Sequence, residues 1–422
     1  MKDLQKQRTE PLVRIPTQCR MCRKSTLVQY LDLGSHPPAD QFRKTEELDL
    51  PEIAYPLRVM LCTTCGLSQL SHVVDPRVLY QFDYPYESGT TTSGKRHWDA
   101  FASAVVQRLR LRAGDLVVDV GSNDGTLLNS FAEAGMKVVG IDPAQNIVAL
   151  ANAKGIKTYC AFFGRAIADV VRKKHGSASV IVGTNVFAHI DDLHEVMASA
   201  KKLLTANGVF IFESPHFEHL VERLEYDTVY HEHLSYLSLT PVVSFVQQFG
   251  MEVFAVEETP IHGGSFRVYI GRKGKHTIDK NVAKILSTEK KKQLHVLKAL
   301  QKFAERVTQN RHELMVLIEK LVHKGKKIAL VSTPAKGMTL INFAGITLRH
   351  APFATEKSAL KIGRHTPGAH IPILSDSALL TEGAEYALLL AWNFADEIIK
   401  NNQAFRDRGG KFIIPIPKPI IK

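Results

Sequence analysis

Residues 116–128 read Leu-Val-Val-Asp-Val-Gly-Ser-Asn-Asp-Gly-Thr-Leu-Leu. The β-branched run Leu116–Val120 predicts a buried parallel strand. Gly121 to Gly125 predicts a sharp turn, because glycine accepts backbone conformations that other residues avoid. Beyond it, Leu127, Leu128, Phe131 and Ala134 fall at helical spacing. The stretch is therefore strand, glycine loop and helix. Such a loop lets a ligand approach the backbone, and the helix start offers N–H groups with no partner inside the helix.

The spacing Gly121-Ser-Asn-Asp-Gly125 is not the three-glycine dinucleotide fingerprint. It resembles the first motif of class I S-adenosylmethionine (SAM) methyltransferases, in which the loop passes under the methionine end of the cofactor. The next strand, 137–141, leads into Asp142, where related folds place an acid on the ribose hydroxyls. The plain alternative is a tight turn in an ordinary α/β domain. With the SAM reading, the cofactor residues are Asp119, Gly121, Asn123, Asp124, Gly125 and Asp142, joined by Asn185 at the end of the fourth strand.

Working outward, strands are expected at 116–120, 137–141, 156–159, 179–183 and 208–213, and helices at 125–135, 144–154, 164–174 and 190–204. This alternation predicts a doubly wound α/β core. A helix is expected at 98–111 before it and another at 241–249 after it, followed by strands at 251–258 and 265–271 and a long lysine-rich helical stretch at 278–323. A second strand–turn–helix begins at Lys326. The expected domains are 1–79 (tail and zinc module), 80–240 (SAM-binding) and 241–422 (C-terminal α/β).

The whole chain has 422 residues, enough for two or three domains. Its formal net charge of +12 is spread out, so nucleic-acid binding is not expected. No signal sequence or apolar membrane span is visible, which predicts a cytoplasmic protein without membrane attachment. Four of the five cysteines pair as Cys19-x-x-Cys22 and Cys62-x-x-Cys65. In a reducing compartment that spacing favours Zn²⁺ over disulfides, and four thiolates leave no open position for catalysis. The zinc is expected to be structural, and Cys160 to be a small core residue.

Five other places carry chemistry. Residues 80–98 are rich in aromatic and hydroxyl groups and suit either a ligand-lining loop or a linker. His189 suits a substrate contact or, equally, a helix start packed against Asp191. In Asp227-Thr-Val-Tyr230-His231-Glu232-His233-Leu-Ser-Tyr236, six of ten residues titrate, the composition of a general-base site. The turn His262-Gly263-Gly264-Ser265-Phe-Arg267 suits backbone contact with a ligand. Lys336, Lys361 and Arg364, near glycine turns in the C-terminal unit, suit a phosphate-bearing ligand.

Taken together, the paired C-x-x-C, DYPYESGTT, DVGSNDGTLL, NVFAHIDDL, YHEHLSY, HGGSFR, AKG, GRHTPG and LLLAWNF stretches resemble the zinc-containing, SAM-dependent C-methyltransferases of nucleotide-activated deoxysugars. That resemblance implies a monomeric enzyme that takes an NDP-4-keto-6-deoxyhexose and methylates carbon 3 through an enolate. It implies His233 as base with Glu232 orienting it, Tyr230 at the 4-oxygen, and His189 with Tyr84 or Tyr86 completing the pocket. The nucleotide diphosphate would fall to the C-terminal domain, where residues 356–362 depart from the family pattern. An O- or N-methyltransferase is the alternative, but it needs no enolate-forming base. A zinc-knuckle nucleic-acid binder with a degenerate SAM fold is the other, and the intact glycine loop speaks against it.

Overall fold

The computed structural model describes residues 13–80 and 92–422. Tyr84 and Tyr86 lie outside the described residues. The glycine-loop stretch forms strand Leu116–Val120, buried throughout, and helix Thr126–Glu133, which buries Leu127, Leu128 and Phe131. That strand lies inside a seven-stranded sheet ordered Met251–Thr259, Ser265–Arg272, Leu204–Pro215, Ala178–Thr184, Leu116–Val120, Lys137–Asp142, Thr158–Cys160. The last five of these are mutually parallel, and Ser265–Arg272 runs antiparallel to both of its neighbours. Alternation along each strand feeds two cores. Val117, Val180 and Ile211 pack on one face with Trp98, Phe101 and Phe131. Val118, Ile181 and Phe210 pack on the other with Leu193, Val196 and Phe245. The winding reverses between Leu116–Val120 and Ala178–Thr184, so the ligand crevice lies over their carboxyl ends.

Strands Met251–Thr259 and Ser265–Arg272 lie past the expected boundary at 240/241. They form an antiparallel pair that completes the SAM-type sheet on the open edge of Leu204–Pro215. The short link between them enforces their pairing, but nothing local in their sequence says which sheet they join. Only the match of Val253, Val268 and Ile270 to the Phe210–Phe212 face decides it.

The expected helical stretch at 278–323 divides into Lys280–Lys291 and Leu297–His323. It leads to a second sheet ordered Ile373–Ser375, Ala354–Glu356, Ile328–Val331, Tyr386–Leu389, Lys411–Ile414, Ile420–Ile421. Its first five strands are parallel, with a switch point between Ile328–Val331 and Tyr386–Leu389. The N-terminal module is an antiparallel sheet of Leu27–His36, Tyr55–Cys62 and Ser68–Leu70, whose fourth strand is Ser235–Tyr236. One apolar cluster joins Leu31, Val59 and Leu70 of this module to Phe217 and Leu234, then to Leu300, Phe303, Leu330 and Ile341. The three parts therefore share core.

Candidate active site

At the carboxyl end of Leu116–Val120 the chain turns through Gly121 at φ 71°, and a Cβ there would come within 2.8 Å of Val186 Cγ2. The loop is tied to the neighbouring strand end. The Gly121 amide donates to the Ile141 carbonyl (2.8 Å), and the Asn123 amide donates to Asp142 Oδ2 (2.9 Å). Asp142 Oδ1 accepts from the Ala144 amide (2.9 Å). Asp124 accepts from the Thr126 hydroxyl and from Lys154 (both 2.7 Å), closing the helix start. Gly125 reverses the chain at φ 81°.

Asp119 Oδ1 and Asn185 Oδ1 are buried acceptors with no hydrogen-bond partner among the described residues. Burial, and then the charge of Asp142, raise the proton affinity of Asp119 well above the usual carboxylate range. Burial likewise raises that of Asp142. Two lone acceptors and a desolvated carboxylate pair at the switch point fit a cationic, hydroxyl-bearing cofactor such as SAM.

Asn185 also borders a cleft lined by His189, Ser214, His216, His233 and Tyr236. His233 Nδ1 lies 2.7 Å from the Thr228 carbonyl, so it donates. In the neutral ring Nε2 then accepts, and the Tyr230 hydroxyl donates to it at 2.8 Å. His189 stands 4.9 Å from the His233 ring, centre to centre, and stacks on Tyr80 at 6.0 Å. Burial, and then the neighbouring His233, hold the proton affinity of His189 well below the ordinary imidazole value. This chain of Tyr80, His189, His233 and Tyr230 unites the end of the zinc module with the YHEH stretch.

Glu232 contributes no hydrogen bond to His233 among the described residues, which corrects the expectation that it orients the base. Its Oε2 is buried without a hydrogen-bond partner among the described residues. Burial, and then the charge of Asp40, push its carboxyl up to about 8. Burial raises Asp40 as well, against the pull of Lys361. Carboxyls from the N-terminal and central parts thus meet a lysine from the C-terminal part.

Other expected ligand groups are engaged inside the protein. Arg267 donates to buried Glu213 Oε2 (2.7 and 3.0 Å), lies 3.7 Å over the Phe101 ring, and does not line the cleft. The other Glu213 oxygen is 2.7 Å from His97 Nε2. Burial opposes ionisation of Glu213, but His97 and Arg267 outweigh it and hold the carboxyl below its usual range. Sequence reasoning placed Arg267 on substrate because its glycine turn is exposed to view, whereas its partner is 54 residues away.

The Gly263-Gly264 turn backs onto the wall of the cleft. The Gly264 carbonyl accepts from the His216 amide at 3.1 Å, and a Cβ on Gly264 would strike His219. Ser265 donates to the Ile261 carbonyl (3.0 Å). His262 sits in the short helix Ile261–Gly263. Lys361 donates to the Thr333 carbonyl (2.8 Å) and lies over Phe42, and Arg364 is half-buried nearby in the chain. Lys336 lies 3.6 Å from Asp227 and 4.3 Å over the Trp392 ring. Sequence reasoning missed Asp40, Tyr80, His216 and Trp392 as site neighbours. The only available signal was that Asp227, Tyr80 and Trp392 fell inside stretches already rich in functional residue types.

The four cysteines converge as their spacing predicts. Their sulfurs lie within 4.8 Å of one another, with Cys19–Cys65 and Cys22–Cys62 at 3.5 Å. A tetrahedral Zn²⁺ with 2.3 Å bonds separates thiolates by about 3.8 Å, so the set fits the ion. The knuckle is docked on the central part. His194 Nε2 donates to the Met21 carbonyl (2.9 Å), and Arg20 reaches Asp191 (3.1 Å), two residues past His189. Cys160 is exposed, not a core residue as expected.

Three family models match the chain in register with these parts: "Putative zinc binding domain" over residues 19–80, "Methyltransferase domain" over 95–256, and "C-methyltransferase C-terminal domain" over 260–417. The chain is 34% identical over 411 residues to C-methyltransferase NovU of Streptomyces niveus, covering 97% of this chain and 98% of that one. This chain belongs to the C-methyltransferase family. The enzyme uses SAM, and its cysteine cluster is the zinc site. A more distant relative, ubiquinone biosynthesis O-methyltransferase of Bartonella quintana (strain Toulouse), is 27% identical over 94 residues, 22% of this C-methyltransferase and 38% of that protein. A SAM-dependent methyltransferase from Clostridium acetobutylicum ATCC 824 overlays 43% of this chain and 92% of its own, at 13% identity and a TM-score of 0.35. Among the described residues, no helix of the C-methyltransferase is long and apolar enough to cross a membrane.

Proposed function

We propose that this C-methyltransferase adds a methyl group to carbon 3 of a nucleotide-activated 4-keto-6-deoxyhexose through an enolate. The observation that carries the reading is the Thr228–His233–Tyr230 hydrogen-bonded series, which sets an imidazole beside the cleft bordered by the cofactor-side residue Asn185. The alternative O- or N-methylation requires no carbon acid to be deprotonated.

SAM supplies an electrophilic methyl group when bound, held by Asp119, Asp142 and Asn185 around the Gly121–Gly125 loop. A 4-keto group acidifies the hydrogen on carbon 3. His233 Nε2 takes that proton, and the C–H electron pair becomes the enolate. The Thr228 carbonyl on Nδ1–H stabilises the imidazolium that forms. Tyr230, already hydrogen-bonded at Nε2, is close enough to turn its hydroxyl to the 4-oxygen as that oxygen gains charge. Bound SAM would supply the methyl group for the new bond at carbon 3, with its sulfonium sulfur as the leaving group. General-base catalysis of this type is worth about 10²–10⁴-fold, and one oxyanion donor about 10²–10³-fold. His189, kept neutral, with Tyr84 or Tyr86, completes the sugar pocket. Lys361 and Arg364 supply charge for the diphosphate, whereas Lys336 is committed to Asp227. The reading includes a cytoplasmic enzyme that works as a monomer on a small molecule.

The test is mass spectrometry of reactions with a panel of NDP-4-keto-6-deoxyhexoses in D₂O. Deuterium entry at carbon 3 without SAM, and one added methyl group with it, is the expected result. Methyl transfer to oxygen, or no exchange across the panel, would overturn the reading.

A further inference from the structure

The base is held by a backbone carbonyl, and a backbone carbonyl points where its turn is pinned. The turn in question is the short helix Tyr226–Thr228 and the residue after it. The C-terminal unit grips it at three successive places. Tyr226 donates its hydroxyl to Asn310 Oδ1 (2.8 Å), and Asn310 in turn donates to the carbonyls of Pro415 (2.9 Å) and Pro417 (3.0 Å). Asp227 Oδ2 accepts from the Trp392 indole at 2.6 Å and faces Lys336 Nζ at 3.6 Å. The Val229 carbonyl accepts from the Thr339 hydroxyl at 2.9 Å. On the remaining side, Thr228 presents its carbonyl to His233 Nδ1.

Asp227 is fully buried: its Oδ2 is held by Trp392 and Lys336, and its Oδ1 has no hydrogen-bond partner among the described residues. The place is informative. Trp392 follows strand Tyr386–Leu389, and Lys336 lies in the first turn of helix Ala335–Ala344, which follows strand Ile328–Val331. These are the strand ends of the second sheet's switch point, where a doubly wound sheet takes its ligand. The central part of the same chain fills that place with a carboxylate.

We infer that Asp227 is a positioning residue for the methyl-transfer reaction: locked into the second sheet's ligand position by Trp392 and Lys336, it fixes the Thr228 carbonyl and thereby the tautomer of His233. This rests on the base role proposed for His233. The C-terminal unit then acts on catalysis through the internal carboxylate as well as through any substrate contact. Loosening Asp227 frees the Thr228 carbonyl to rotate, His233 samples the Nε2–H form, and Nε2 ceases to be available for a proton.

The experiment is ¹⁵N NMR of the histidine-labelled, zinc-loaded full-length enzyme without substrate, with the His233 signal identified by its loss in His233→Ala. Wild type is expected to show His233 protonated at Nδ1 and bare at Nε2. Asp227→Ala and Trp392→Phe are expected to show mixed tautomers. Their kcat on the responsive sugar nucleotide of the panel should fall about 10-fold or more, with KM for SAM and zinc content unchanged. Asp227→Asn keeps an acceptor for Trp392 and should restore most of the loss. Lys336→Met, a milder change at a partly exposed side chain, should shift the tautomer balance less and serves if the other variants do not fold. Unchanged tautomers and kcat in every folded variant would overturn the inference, as would tautomer mixing already present in wild type. If instead His233→Ala retained carbon 3 exchange, the base role would fall while the tautomer result still judged the clamp.

Discussion

The chain contains two doubly wound parallel sheets, and their switch points are furnished in opposite ways. At the end of Leu116–Val120 the glycine loop leaves Asp119 Oδ1 and Asn185 Oδ1 buried without partners among the described residues. At the end of Ile328–Val331 the corresponding place is closed by Asp227, with Trp392 and Lys336 on its carboxylate. The first arrangement is incomplete until a ligand arrives. The second holds Asp227 Oδ2 in contacts from within the chain, while Asp227 Oδ1 has no hydrogen-bond partner among the described residues. Equivalent topology therefore says where a ligand could bind, and the side chain already standing at the strand ends says whether the place is open.

The most severe test of this contrast is His233→Ala. Methyl transfer should fall by about 10²–10⁴-fold while SAM affinity, measured by calorimetry, stays near wild type. A matching loss of SAM affinity would mean that base and cofactor place are not separate. The next test pairs one glycine from each sheet. Gly121→Ala puts a Cβ 2.8 Å from Val186 Cγ2 at a positive φ, and should weaken SAM binding by about tenfold or more, roughly 1.4 kcal/mol. Gly337→Ala puts a Cβ 2.8 Å from Leu390 Cβ inside the closed site. It should cost about 1–3 kcal/mol of stability in denaturant titration and leave SAM affinity unchanged. Equal effects of the two on SAM binding would break the contrast.

The smallest effect is expected where the two regions meet. Glu232 has its proton affinity raised to about 8 by burial, and next by Asp40. An unfolded chain ionises this carboxyl near the ordinary value of 4.5. The folded state then holds a proton that the unfolded state has lost, so this group lowers stability as pH rises from about 4.5 to about 8. Glu232→Gln removes that dependence. Its thermal midpoint should gain on wild type by a few degrees across the interval, and a constant gap would refute the assignment.

What could be read from sequence follows the range of the interactions. The glycine loop and the cysteine pairs were legible because their chemistry is written within a few residues. The five parallel strands of the first sheet were legible because each carries its own apolar run. The grip of Trp392 on Asp227 spans 165 residues, and that of Arg20 on Asp191 spans 171, and no local pattern announces either. The same limit explains the boundary at 240/241, since Met251–Thr259 and Ser265–Arg272 look alike whether they join one sheet or the other. It also explains Glu232 and Arg267. Their residue types suited the site, but the direction of each side chain is set by packing.

The fourth strand of the zinc module has a consequence for biosynthesis. Ser235–Tyr236 pairs with Ser68–Leu70, and the Leu70 amide donates to the Leu234 carbonyl. A chain emerging from the ribosome displays its cysteines early, yet the module's outer edge stays open until residue 236 has been made. By then the parallel strands of the SAM-type sheet have also emerged. Metal capture can begin with the first part of the chain, but closure of that part waits for the segment that carries His233, so a truncated nascent chain is left with an unpaired edge and an incomplete cleft.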